Sequence, residues 1–179
     1  MEGKTLYTLL VYSENIAGIL NQITAVFTRR QVNIESLNVS ASSIKGVHKY
    51  TITAWSDHDQ IEKITRQIEK KIDVIKATFY TDAELFIRET GMYKLATDIV
   101  MENPMISKII RKPEAIIREV NPTYVLAMKN GMTEDIMSLY YALNEFGCVL
   151  QYTRSGRIAV TRSTQEEVSE YLEQREKDI

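Results

Sequence analysis

Residues 5–20, TLYTLLVYSENIAGIL, decide the fold. The first eight are β-branched, aromatic or leucine, the composition of a strand. Ser13-Glu14-Asn15 breaks that run. Ile16, Ile19, Leu20, Ile23, Val26 and Phe27 then recur at helical spacing, so the strand passes through a short turn directly into an amphipathic helix.

Working outward, residues 33–42 (NIESLNVSAS) and 48–55 (HKYTITAW) alternate as strands. Asp57, with Gln60 three residues on, has the form of a capping box ahead of Ile61, Ile64 and Ile68. Residues 74–80 (VIKATFY) close the unit as a strand. The order is β-α-β-β-α-β, the ferredoxin-like arrangement. The second half repeats it less distinctly. Residues 92–100 read as a strand. Asn103-Pro104 reads as a cap with proline at the first helical position, and Ile106, Ile109 and Ile110 turn inward. Residues 115–120 and 123–129 flank an Asn121-Pro122 turn. Ile136, Leu139, Tyr140, Leu143 and Phe146 form a helical stripe that Gly147 ends. Residues 148–152 and 157–162 read as strands around Ser155-Gly156, and Ser163 with Glu166 opens a last helix carrying Val168, Tyr171 and Leu172. The expected class is α+β, with two ferredoxin-like βαββαβ domains: residues 1–82, and residues 83–179 ending in a helix. The boundary falls near residues 81–90, which are not rich in Gly or Ser, so a short connection joins the halves.

Composition narrows the function. The chain has 179 residues, 44% hydrophobic and 26% charged, which is ordinary globular usage and fits one or two domains. A net charge of −2 argues against a protein that coats nucleic acid or a membrane surface. The lone cysteine, Cys148, excludes an internal disulfide framework, and the two histidines, His48 and His58, leave little for catalysis or metal binding. His58 and Glu62 lie one helical turn apart but lack a third ligand, and read as a solvated helix face. No catalytic residue and no metal site is expected. No secretory signal or spanning segment is found, so the expected location is the cytoplasm.

The segment Glu14-Asn15-Ile16-Ala17-Gly18-Ile19-Leu20 can be read in two ways. In one, Asn15 is a helix cap and Gly18 a turn residue. In the other, the unpaired amides and positive dipole end of the helix hold a carboxylate, Gly18 allows close approach, and Asn15 supplies both donor and acceptor to an amino acid. Arg29-Arg30 likewise either complements a helix C-terminus or touches a partner.

The wider pattern, Leu9-x-Val11-x-x-Glu14-Asn15-x-x-Gly18-x-Leu20-x-x-Ile23-x-x-x-Phe27-x-Arg29-Arg30-x-x-Asn33-Ile34-Glu35-Ser36-Leu37, resembles the first ACT domain of the regulatory (small) subunit of acetolactate synthase, also called acetohydroxyacid synthase. The resemblance is strong over residues 6–79 and weaker beyond, where Asn121-Pro122-Thr123-Tyr124 and Thr153-Arg154-Ser155-Gly156 look like family landmarks. Two features depart from it: Gln31-Val32, where a Gly-aromatic pair is common, and the Met- and Tyr-rich segment 128–141. The resemblance implies a non-catalytic subunit that binds a large catalytic subunit carrying thiamine diphosphate, Mg2+ and FAD. It implies activation of that partner, feedback inhibition by a branched-chain amino acid, usually valine, and a homodimer formed through the ACT domains. The effector would lie between two protomers. Asn15, Ile16, Ala17, Gly18, Ile19 and Leu20 would come from one, and Asn33 and Ile34 from the other. A freestanding ACT-type amino-acid sensor with another protein partner would share the loop without needing the Arg29-Arg30 and Asn33-to-Leu37 signature. An RNA-binding ferredoxin-like domain is a further alternative, though the chain has no Gly/aromatic RNA-binding motif and no basic stripe.

Overall fold

The computed structural model describes residues 3–111, 115–163 and Val168. The elements run β1 (Thr5–Glu14), α1 (Ile19–Arg29), β2 (Ile34–Ala41), β3 (Val47–Ser56), α2 (His58–Glu69), β4 (Val74–Tyr80), β5 (Leu85–Ala96), α3 (Thr97–Glu102), α4 (Pro104–Arg111), β6 (Ile116–Val120), β7 (Tyr124–Gly131), α5 (Thr133–Asn144), β8 (Val149–Arg154) and β9 (Ile158–Thr161). The first sheet has the order β2-β3-β1-β4. The second has β6-β7-β5-β8, with β9 also paired to β5. The two sheets share one topology, so the expected pair of βαββαβ units is what the chain forms.

In the first unit, Leu9 and Val11 of β1, Ile23, Val26 and Phe27 of α1, Ile52 of β3 and Ile61, Ile64 and Ile68 of α2 form one core. Burying each such side chain is worth about 1.5–3 kcal/mol. Asp57 caps α2 through a 2.8 Å bond from the Gln60 amide. The reciprocal half of the box does not form. The Gln60 side chain donates instead to the Arg30 carbonyl at 2.9 Å, holding the end of α1 against α2. Helix α1 starts at Ile19, so Ile16, read as part of its apolar stripe, lies in the preceding loop.

In the second unit, Tyr93, Leu95, Val100, Ile106, Ile110, Val125, Ala127, Ile136, Leu139, Leu143 and Cys148 form the core. The strand expected at residues 92–100 is displaced. Thr81 and Glu84 form a capped turn, β5 begins at Leu85, and the chain turns helical at Thr97. Leu85, Ile87, Glu89, Gly91, Tyr93 and Leu95 are all buried at period two, but Glu89 and Gly91 interrupt the apolar signal that marks a strand in sequence. Pro104 opens α4 as expected, with the Asn103 side chain accepting from the Met105 amide at 3.0 Å.

Among the described residues, the contacts group 3–87 with 157–163, and 88–156 separately. The division at residue 83 therefore does not hold for residues 157–163. Arg157, buried, pairs with Asp82 at 2.8 Å, the Arg162 amide donates to the Glu84 carbonyl, and Lys49 Nζ donates to the Ala159 carbonyl at 2.7 Å. These are long-range bonds that no local pattern announces. The expected capping partner Glu166 and the residues Tyr171 and Leu172 lie outside the described residues, while Val168 is fully buried.

Candidate functional site

Four residues, Asn15 to Gly18, join β1 to α1. Their position is fixed from both sides: the Glu14 amide donates to the Asp73 carbonyl and the Asn15 amide to the Gly46 carbonyl, each at 2.9 Å. Gly18 caps the helix in the left-handed conformation, φ 90° and ψ −11°, and offers no side-chain acceptor. A Cβ at Gly18 would meet nothing within 4 Å, so within one chain the glycine serves the backbone angle and relieves no clash. Gln22 N–H closes the first helical bond to the Gly18 carbonyl at 3.1 Å, and Ile19 N–H reaches the Ile16 carbonyl at a long 3.4 Å. Among the described residues the amides of Ala17, Gly18, Leu20 and Asn21 meet no acceptor. Free amides at the positive end of a helix suit a carboxylate.

The loop's side chains are open. Asn15 and Ala17 are exposed, and Ile16 and Leu20 are 44% and 40% exposed. Ile19 differs: its side chain is 3% exposed and belongs to the core, leaving only its backbone for a ligand.

Asn33 and Ile34 sit elsewhere. They line a groove with Thr24, Phe27, Thr28, Gln31 and Val32 at the far end of α1. The sheet register measures the separation. Ile34 lies opposite Ala54, which pairs with Tyr7, whereas Glu14 pairs with Val47. The span from Tyr7 to Glu14 along β1 is roughly 23 Å at the usual rise. The predicted site residues thus fall into two groups that one chain does not bring together. Arg29 and Arg30 lie at the α1 C-terminus. Arg30 is the C-cap, and its Nε donates to Gln67 Oε1 at 3.1 Å. The anchoring role of Gly46 and Asp73 has no signature in sequence, because it works through carbonyls that any residue supplies.

The corresponding strand–helix junction of the second unit is closed. Ala96 precedes α3 with φ −67°, its amide donates to the Cys148 carbonyl at 2.8 Å, and the Thr97 hydroxyl donates to the Asn121 carbonyl at 2.7 Å. It has no left-handed glycine and no open loop. Reactive groups are scarce. Cys148 is buried, and burial raises its thiol pKa. Among the described residues no cluster of three His, Cys, Asp or Glu could hold a metal ion, and no helix is long and apolar enough to cross a membrane.

A βαββαβ unit with an amide-lined turn between its first strand and helix is an ACT domain, here followed by a second unit of like topology. Residues 9–76 match the model of the AHAS small subunit-like ACT domain, and residues 88–163 match that of the small subunit of acetolactate synthase. The chain is 30% identical over 167 residues to the acetolactate synthase small subunit of Bacillus subtilis, covering 93% of this chain and 95% of that one. It is 31% identical over 151 residues to a probable acetolactate synthase small subunit of Methanothermobacter thermautotrophicus, covering 84% and 89%. The crystal structure of the acetolactate synthase small subunit from Thermotoga maritima shares the fold, with a TM-score of 0.79 at 22% identity over 89% of this chain and 99% of that one. The chain belongs to the acetolactate synthase small-subunit family.

Proposed function

We propose that this chain is the regulatory partner of a large acetolactate synthase subunit, raising its activity and conferring feedback inhibition by a branched-chain amino acid, valine first among them. The observation that carries the reading is the set of free amides at Ala17, Gly18, Leu20 and Asn21 in a member of this family. The amides would take the effector's carboxylate. The side-chain carbonyl of Asn15 or Asn33 would accept from its ammonium, and Ile16, Leu20 and Ile34 would line the slot for its aliphatic side chain. An apolar slot separates valine from leucine or isoleucine by only about 1–3 kcal/mol per methylene, so related amino acids should bind in graded order.

Because the loop and Asn33 lie apart in one chain, the effector would bridge two protomers, the loop of one meeting Asn33 and Ile34 of the other. β2 is an edge strand of its sheet, which supports pairing of two ACT domains in a homodimer. The ligand would then favour one arrangement of the dimer. A coupling of about 1–3 kcal/mol is enough for useful allostery, a modest demand on one interfacial ligand. The chemistry, on thiamine diphosphate with Mg2+ and FAD, would belong to the large subunit.

The test is a thermal-shift screen of the twenty amino acids on the purified chain, followed by reconstitution with the large subunit. A ligand that binds only the folded dimer raises its melting temperature. Valine and its relatives should stand out, and the valine response should reappear as inhibition of the reconstituted complex. A flat screen together with no change in the partner's activity would refute the reading.

A further inference from the structure

The effector loop lies at the start of α1; a different surface forms at its end. Arg30, Lys63, Arg66, Gln67 and Lys70 line a groove between the α1 C-terminus and α2. Lys63, Arg66 and Lys70 follow the i, i+3, i+7 spacing of one helix face, opposite the buried Ile61, Ile64 and Ile68. Arg30 comes from the other helix and is fixed in place: its carbonyl accepts from Gln60 Nε2 at 2.9 Å and its Nε donates to Gln67 Oε1 at 3.1 Å. The carboxylates of α2 are Asp59, Glu62 and Glu69, and none of them lines the groove. Glu62 is engaged with Arg66 at 2.7 Å, and Asp59 lies a turn before Lys63 beside His58. Lys63 and Lys70 are exposed and make no ion pair among the described residues. A chain with net charge −2 thus concentrates cations in one concavity. The helix dipole accounts for cations in a last turn but not for Lys63, which sits in the middle of α2.

We infer that this groove is a docking surface for a carboxylate-rich segment of the large catalytic subunit. The inference rests on the proposal that the chain binds such a partner. Charge complementarity selects an acidic segment, and Arg30 presents one guanidinium already oriented for carboxylate. α1 then carries the effector loop at one end and the docking groove at the other, so a shift of this helix moves both.

The test compares the wild-type chain with the K63E/K70E variant in binding to the purified large subunit across a range of salt concentrations. Both positions are exposed on a helix where Glu and Lys have similar propensity, so the fold should survive, as a thermal melt would show. A K108E/R111E variant makes the same change in net charge on α4. The expected result is association weakened about tenfold by K63E/K70E, with a shallower salt dependence, retained valine binding and little effect of K108E/R111E. Unchanged affinity for K63E/K70E, or equal weakening by both variants, would overturn the groove while leaving the regulatory reading intact. A wild-type chain that does not bind the large subunit at any salt concentration would overturn both.

Discussion

Gly18 and Asn33 lie beyond opposite ends of α1, the glycine capping its start and the asparagine following its C-cap, Arg30, by three residues. Both are residues of the proposed effector site, and the register of β1, β2 and β3 keeps them apart in one chain.

Gly18→Asp should abolish valine inhibition of the reconstituted enzyme while leaving activation in place. It puts a carboxylate among amides proposed to hold a carboxylate. It also places an L-residue at φ 90°, costing about 1–2 kcal/mol, too little to unfold a typical domain. Valine titration of the variant complex measures this, and inhibition at wild-type concentrations would remove the site from the loop.

Mixing Gly18→Asp chains with Asn33→Ala chains should restore valine binding that neither variant shows alone. In a mixed dimer one interface carries both defects and the other carries neither, so calorimetry should find about one site per mixed dimer. If both groups served a site within one chain, every site would stay defective and no binding would return.

Gln31→Gly should stabilise the protein by about 0.5–1 kcal/mol. Gln31 has φ 54° at the residue after the α1 C-cap, and the Val32 amide donates to the Phe27 carbonyl and the Gln31 amide to the Thr28 carbonyl, at 3.1 and 3.0 Å. This is the position helices most often give to glycine. A left-handed L-residue costs about 1–2 kcal/mol, partly offset by glycine's greater entropy when unfolded. Urea unfolding gives the difference directly.

Tyr93→Phe should cost about 1 kcal/mol near neutral pH, and that cost should fade above pH 10. The Tyr93 hydroxyl is fully buried and donates to the Ile136 carbonyl at 2.7 Å. Burial, then the neighbouring Tyr152, pushes its pKa well above the ordinary value of 10.0. The folded state therefore keeps the proton where the unfolded chain has lost it. The wild-type protein loses stability as pH rises through 10, by about 1.4 kcal/mol per unit from this group, and the phenylalanine variant does not. Melts of both proteins at pH 8 and pH 11 would show the gap closing; a gap of constant size would refute the account.

The two βαββαβ units, the caps at Asp57 and Asn103, and the glycine-bearing turn from Glu14 to Leu20 are legible in the sequence alone. Those features are local: side-chain periodicity and helix-end chemistry are written in consecutive residues. The sequence does not mark the start of β5, because Glu89 and Gly91 hide its period and its start at Leu85 depends on pairings made far along the chain. Long-range packing sets the rest: Ile19 turns its side chain into the core, Asn33 lies far from the loop, and residues 157–162 return to the first unit through Asp82, Glu84 and Lys49. These outcomes rest on strand register and on ion pairs and carbonyl bonds between residues up to 110 positions apart, which no short window of sequence contains.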